Sequence, residues 1–499
     1  MTNLAQKLFT MHDQTRFAVA SGDHNPIHIN HVAARRTQAG AIVVHGINLL
    51  LWALDAFAAS KPKLLPLRSL RAQFKRLVYL DEPTSVILER VDEAGALLHV
   101  FAEDSLKSEF FLEFGSPSVI APFWSTDPLE VLTHSQEARE FDLEQIPKIS
   151  GRLAFRMTPK DASAYYPAAT KWLGTRLIEG LAATSQLVGM ICPGLHSIYS
   201  ELSISSRIPS DLAEDGLAFR VTKTNPRYAI VTEEVLTANF TGTVKAFLRI
   251  PPMRQATMQS LAGIVAHDEF AGSLALIVGG SRGLGELTAK LIATGGGRVI
   301  VTWQTGNTDA LRVAEEIRLS GGLCETLRYD TRETADSQLT SLAEAPTHTY
   351  YFATPLISRP RSDIYVAKRF REFLSVYVDG FWQLTQALRA RRAEISIFYP
   401  SSVFVSERPP GMTEYAMAKA AGETLCADIN AQLAPTHVTV KRLPRLPTDQ
   451  TASLTAVKTE NPLEVMLPIV REVQLRLAIP TTHKLSTYPD FSSRPTRSQ

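Results

Sequence analysis

Leu274-Ala275-Leu276-Ile277-Val278-Gly279-Gly280-Ser281-Arg282-Gly283-Leu284-Gly285 is a short apolar run closed by a glycine-rich loop, and a helical pattern follows from Glu286 to Ala293. An unbroken apolar run of this length reads as a strand buried on both faces, as in a parallel sheet. The glycines allow a tight turn and let a pyrophosphate approach the N-terminus of the next helix, where unpaired N–H groups favour negative charge. Strand, glycines and helix in this order predict the opening of a doubly wound α/β domain. Further strands are expected at Arg298 to Thr302, Thr347 to Phe352, Ile395 to Tyr399 and Val438 to Arg442, alternating with helices.

Toward the C-terminus, Tyr415-Ala416-Met417-Ala418-Lys419 places a phenol and an ammonium on one helix face. Ser402 precedes Tyr415 just after a predicted strand, with Ser401 beside it. Together with Gly279-x-x-x-Gly283-x-Gly285, these residues resemble the short-chain dehydrogenase/reductase family. The resemblance implies a Rossmann-type domain in which Tyr415 exchanges a proton with a substrate oxygen. It also implies that Lys419 lowers the phenol's pKa and binds the nicotinamide ribose, and that Ser402, or else Ser401, orients a carbonyl. Cofactor contacts are implied for Gly279, Ser281, Arg282, Gly283, Leu284, Gly285, Asp330, Ala353, Tyr415 and Lys419. The second strand ends in Val301-Thr302-Trp303-Gln304-Thr305, without the acid that usually meets an NAD ribose, while Arg282 sits where it could meet a 2'-phosphate. NADP, as NADPH, is the cofactor this favours. The chain departs from the family at Phe352-Ala353-Thr354-Pro355, at Tyr377 in place of the helix asparagine of the proton relay, and at Leu443-Pro444-Arg445-Leu446-Pro447.

Near the N-terminus, Ser21-Gly22-Asp23-His24-Asn25-Pro26-Ile27-His28 sets a carboxylate and an imidazole five positions apart, with Gly22 and Pro26 shaping the backbone. Such a pair can reach one water or one substrate proton. With Phe17 before it and Ala34 after it, the string resembles the MaoC-like (R)-specific enoyl-thioester hydratases, which have the hotdog fold; Asn30 stands where that family often has an aspartate. Val43-Val44-His45-Gly46 resembles the start of the family's central helix. The resemblance implies reversible syn addition of water to a trans-2-enoyl thioester, with Asp23 and His28 as the acid/base pair and the Gly46 N–H facing the thioester carbonyl.

Residues 1 to about 120 read as a helix, a loop, an apolar helix from Val44 to Ala58, then alternating segments at Ser69 to Leu77 and Leu97 to Phe114. After a Pro-containing break at Ser116 to Pro128 the pattern returns: an apolar helix at Ala168 to Ile191, then strands at Ser197 to Ser206, Leu217 to Thr224, Tyr228 to Leu236 and Gly242 to Ile250. This looks like a diverged internal repeat. The expected fold class is therefore an α+β tandem (double) hotdog followed by an α/β Rossmann-type doubly wound parallel sheet. The expected domains are 1–120 with the dyad, 125–255 as a degenerate second hotdog with a structural and substrate-tunnel role, 270–480 as the reductase, and a mobile tail at 481–499. His196, in Cys192-Pro193-Gly194-Leu195-His196, is read as a packing or loop residue.

Composition narrows the function. A chain of 499 residues is long enough for about three domains. Its 52 basic and 50 acidic residues nearly cancel, so nucleic acid is not implied. Cys192, Cys324 and Cys426 form neither a disulfide framework nor a zinc-site spacing, which fits a reducing cytoplasm. Met1 to Lys7 lacks a signal-peptide layout, so no export is expected. The apolar run from Ala41 to Ala59 contains His45, Asn48 and Asp55 and is read as a core helix, not a membrane span.

The two resemblances share a chemical intermediate. The expected enzyme reduces a 3-oxoacyl thioester with NADPH to the (R)-3-hydroxyacyl thioester and dehydrates it reversibly to the trans-2-enoyl thioester, as in fatty-acid or polyketide assembly. The acyl carrier would be acyl carrier protein or coenzyme A, and a homo-oligomer formed through the reductase is expected. The alternatives are the degradative direction, with enoyl-CoA hydration and alcohol oxidation, or an active hydratase joined to a non-catalytic cofactor-binding domain.

Overall fold

The computed structural model describes residues 2–103, 105–117, 129–208, 216–357, 364–449, 451 and 458–476. The first part runs β1 (Thr2–Leu8), α1 (Met11–Ser21), α2 (Pro26–Ile29), α3 (His31–Arg35), α4 (Gly46–Ala59), β2 (Leu67–Phe74), β3 (Pro83–Val91), β4 (Gly95–Ala102) and β5 (Ser105–Phe114). The second runs β6 (Val131–Leu132), β7 (Ser150–Leu153), α5 (Pro159–Tyr165), α6 (Pro167–Leu173), α7 (Thr175–Gln186), a π-helical segment at Leu187–Ile191, β8 (Ser197–Ser206), β9 (Leu217–Asn225), β10 (Ile230–Leu236) and β11 (Phe240–Leu248).

Among the described residues these strands form one eleven-stranded sheet in the order β1-β3-β4-β5-β2-β8-β11-β10-β9-β7-β6. The seam is the antiparallel pair β2 and β8, from Ser69 opposite Ser205 to Gln73 opposite Glu201. Each part thus covers an edge that the other would leave exposed. The helix predicted from the apolar run forms as α4 and buries Ile47, Leu50, Leu51, Leu54 and Phe57 completely, each contributing about 2–3 kcal/mol. It packs on α6 and α7. Among the described residues no helix is long and apolar enough to cross a membrane.

Besides strands that sequence reasoning missed, among them β3 and Cys324–Arg328, and the division of the segment at Leu97 to Phe114 into β4 and β5, two details differ from expectation. The chain opens with a strand, β1, before its first helix; β1 caps the sheet by pairing with β3. The helix expected across Ala168 to Ile191 is broken at Gly174, whose φ of 81° is a left-handed value suited to glycine. The tail expected at 481–499 lies outside the described residues, as does most of the Ser116 to Pro128 break.

In β10 the Glu233 side chain is fully buried, and desolvation pushes its carboxyl up to about 8. The folded state therefore holds this proton where the unfolded state has lost it, so stability falls as pH rises from about 4.5 through about 8. Keeping this group buried costs on the order of 3 kcal/mol at neutral pH. Glu233→Gln is expected to raise the melting temperature by several degrees at pH 8 and to leave it nearly unchanged at pH 4.5. Thermal melts at the two pH values check this, and an equal shift at both would contradict it.

The third part begins with α8 (Met258–Leu261), followed by β12 (Leu274–Val278), α9 (Gly283–Thr294), β13 (Arg298–Trp303), α10 (Asn307–Leu319), β14 (Cys324–Arg328), α11 (Ala335–Leu339) and β15 (His348–Tyr351). It continues with α12 (Ala367–Leu374), a π-helical segment at Ser375–Gly380, α13 (Phe381–Arg391), β16 (Ser396–Ser402), α14 (Phe404–Glu407), α15 (Thr413–Gln432), β17 (His437–Leu443) and α16 (Pro462–Leu475). Its six strands are all parallel, in the order β14-β13-β12-β15-β16-β17. The order reverses between β12 and β15, which opens a crevice at the carboxyl ends of those strands.

Candidate active sites

Asp23 and His28 meet because α1 ends at Gly22, whose φ of 80° turns the chain sharply. A Cβ on Gly22 would also press on the Gln186 side chain at 2.9 Å. Asn25 caps α2 and donates through Nδ2 to the Gly189 carbonyl at 2.8 Å, which anchors the loop to the π-helical segment of the second part. The Asp23 carboxylate accepts from Ser185 Oγ at 2.6 Å and from the Asn25 N–H at 3.2 Å. His28 Nδ1 lies 2.8 Å from the Val43 carbonyl oxygen. That acceptor fixes the proton on Nδ1 and leaves the Nε2 lone pair free to act as a base.

His45 stacks on His28 with ring centroids 3.8 Å apart, and its Nδ1 lies 2.6 Å from Gln14 Oε1. Polar atoms of Asp23, His28 and His45 all lie within 4.8 Å of one another. Burial raises the Asp23 carboxyl above its ordinary value, against the lowering influence of His28 and Ser185. Burial likewise lowers His28, against the raising influence of Asp23. The two proton affinities are thereby drawn together, which eases proton exchange at one substrate carbon. Gly46 is the first residue of α4 and lines the same cavity of about 60 Å³, along with Asp23, His28, Phe74, Ser185 and Tyr199.

Ser185 and Gly189 are contributions that sequence reasoning missed. Both come from the part to which it gave only a structural and tunnel role, and no local motif marks them. A Cβ on Gly189 would sit 2.2 Å from Asp23 Oδ1, so glycine is the residue that lets the carboxylate reach this position. His196 is accounted for by its contact with Glu140 at 2.9 Å.

The second cavity, of about 630 Å³, lies at the carboxyl ends of the parallel strands. Gly279, Ser281, Arg282, Gly283, Leu284, Gly285, Asp330, Ala353, Ser402, Tyr415 and Lys419 all line it. The glycines have steric reasons to be there. A Cβ on Gly285 would lie 2.3 Å from the Gly279 carbonyl oxygen, and one on Gly279 would lie 3.0–3.1 Å from the Phe352–Ala353 peptide. That bare cradle at the start of α9 fits a dinucleotide pyrophosphate.

Tyr415 is almost wholly buried, and its hydroxyl is hydrogen-bonded to Ser402, whereas Ser401 donates to Glu423. The expectation that Lys419 lowers the phenol is not met. Desolvation dominates and pushes Tyr415 up to about 12, while it brings Lys419 down to about 7. Lys419 Nζ donates to the Pro400 carbonyl at 2.7 Å and lies 3.9 Å from the centre of the Tyr377 ring. The Tyr377 hydroxyl is hydrogen-bonded to Thr354, so the two departures from the family pattern are partners. Arg282 is turned toward Asp449 at 3.2 Å and donates to the Arg35 carbonyl.

Comparison with known families accords with this division. Residues 5–102 match the family described as MaoC like domain, and residues 273–460 match the family described as short chain dehydrogenase. The chain joins an N-terminal MaoC-like domain to a C-terminal short-chain dehydrogenase domain. No curated protein matches it.

Similar solved structures include a short chain dehydrogenase from Escherichia coli complexed with NADPH, 19% identical over 42% of this chain and 95% of that one, with a TM-score of 0.37. A 3-oxoacyl (acyl-carrier-protein) reductase from Agrobacterium tumefaciens with NADP bound is 18% identical over 42% of this chain and 91% of that one, with a TM-score of 0.37. A short chain dehydrogenase from Burkholderia cenocepacia in complex with NADP is 20% identical over 41% and 91%, also with a TM-score of 0.37.

Proposed function

We propose that this protein reduces a 3-oxoacyl thioester with NADPH to the (R)-3-hydroxyacyl thioester and dehydrates that product reversibly to the trans-2-enoyl thioester. The observation that carries the reading is the presence in one chain of two cavities whose chemistries meet at one intermediate. One holds Asp23 with His28, the other Tyr415 with Lys419. Residues 1–120 and 125–255 are read as two hotdog units sharing one sheet, and 270–480 as the reductase. The acyl group arrives on acyl carrier protein or coenzyme A, and reductase domains pair in a homo-oligomer.

In the reductive step NADPH, when bound, supplies a hydride to C3. Gly279, Ser281, Gly283, Leu284, Gly285, Asp330, Ala353 and Lys419 line the cavity that would hold the cofactor. Ser402 orients the C3 carbonyl, and Tyr415, which keeps its proton at neutral pH, delivers it to the developing alkoxide. In the dehydrating step His28 Nε2 takes a proton from C2, the C2–C3 double bond forms, and the C3 hydroxyl leaves as water with the proton held by the Asp23/His28 pair. The first turn of α4 at Gly46 faces the thioester oxygen as it gains negative charge.

The test mixes the full chain with an acetoacetyl thioester and NADPH, follows cofactor absorbance, and identifies the thioesters by mass spectrometry. Loss of NADPH with 3-hydroxybutyryl and crotonyl products is expected. Crotonyl hydration without any NADPH loss would leave the hydratase alone and make the third part a binding module. A sharper check uses Gly189→Ala, whose added carbon displaces the Asp23 carboxylate. Crotonyl-thioester hydration is expected to drop about 100-fold, and an unchanged rate would remove Asp23 from the reaction.

A further inference from the structure

We propose that Arg35, from the MaoC-like domain, completes the dinucleotide cavity of the reductase and is the cation that recognises the 2'-phosphate of NADPH. The inference rests on the cofactor reading above. Arg35 ends α3 and lines the larger cavity. Its Nη2 lies 3.3 Å from Ser281 Oγ in the glycine loop and 2.7 Å from Asp309 Oδ2 in the first turn of α10. The guanidinium also fills the space beside Gly306, where a Cβ would meet it at 1.9 Å. It therefore stands between the glycine loop and the turn that follows β13. In a doubly wound domain that is the region facing the adenosine ribose and its 2'-substituent.

Two further observations point to a ligand there. Arg35 Nε is buried and has no hydrogen-bond partner. Arg282, which the sequence nominates for the phosphate, is instead held by Asp449 and the Arg35 carbonyl. The local charges are three guanidinium groups, Arg35, Arg36 and Arg282, against two carboxylates, Asp309 and Asp449, which leaves one positive charge. Asp309 stays paired when Arg35 turns to a phosphate, because Arg36 Nη1 holds its other oxygen at 3.0 Å. A guanidinium fork matches phosphate oxygens in pairs. Arg35 ends the short helix that directly follows the one carrying His28, so the nucleotide site and the dehydrating dyad share one stretch of backbone.

Calorimetric titration of the full chain with 2',5'-ADP and with 5'-AMP isolates the phosphate. The unaltered chain is expected to prefer 2',5'-ADP at least tenfold. Arg35→Gln is expected to weaken 2',5'-ADP at least tenfold and leave 5'-AMP unchanged. If Arg35→Gln does not fold, Arg35→Lys, a cation without the fork, is expected to show a partial loss confined to 2',5'-ADP. A preference retained in the Arg35 variant, or an equal loss for both ligands, would overturn the inference and leave the dinucleotide reading intact. Failure of the unaltered chain to bind either nucleotide would remove both.

Discussion

Asp23→Asn and His28→Ala are each expected to slow hydration of a crotonyl thioester by about 1000-fold or more, within the range for loss of a positioned acid or base. The carboxylate in question is buried, accepts from Ser185 and from the Asn25 N–H, and has its proton affinity raised by desolvation. An amide in its place keeps the shape and loses the acid/base function. His28 holds its Nδ1 proton on the Val43 carbonyl, so its removal deletes the imidazole whose Nε2 serves as the base. The sign of the pH dependence follows. Burial lowers His28 below the ordinary 6.5, so its basic form persists as pH falls. The acid limb of hydration should therefore lie below pH 6.5, and NADPH-dependent reduction in the same preparations reports whether the variants fold. An acid limb at or above 6.5, or a rate in Asp23→Asn near that of the unaltered chain, would remove the dyad from the chemistry.

How far these sites can be read from the chain depends on how local their determinants are. The strand–glycine–helix run at Leu274 to Ala293, the Tyr415/Lys419 pair and the Asp23/His28 string each sit within a few turns of backbone. Spacing alone therefore places their side chains together. Ser185 and Gly189 reach Asp23 across more than 160 residues, through the packing of α7 against α1 and α4, and they belong to no motif. Arg35 reads as one of two adjacent surface cations until the domains meet and bring Asp309 and Ser281 to it. The Tyr415 environment is hidden for another reason. Sequence spacing shows that an ammonium lies nearby, but the balance between its charge and desolvation depends on burial, and burial wins. β1 escaped because a lone edge strand carries little periodic signal in seven residues.

Tyr415→Phe is expected to reduce NADPH-dependent reduction of an acetoacetyl thioester by about 1000-fold or more while the chain still binds cofactor. With its pKa pushed up to about 12, Tyr415 is a proton donor at neutral pH, which suits delivery to an alkoxide and disfavours the phenolate needed for alcohol oxidation. The same burial brings Lys419 down to about 7, so its ammonium form is the majority below that pH and the minority above it. Reduction that depends on the ammonium should fall as pH rises through about 7, and Lys419→Met should be slow and nearly flat across that range. The Tyr377 ring 3.9 Å from Lys419 Nζ and the Tyr377–Thr354 hydrogen bond stand where the family pattern has an asparagine relay. A cation held over that aromatic face keeps part of its charge stabilised without water. If Tyr415→Phe turned over NADPH as fast as the unaltered chain, this hydroxyl could not be the proton donor. If the unaltered chain bound NADPH without turnover, the Tyr377–Thr354 pair would be the reason to read the domain as a cofactor-binding partner of the hydratase.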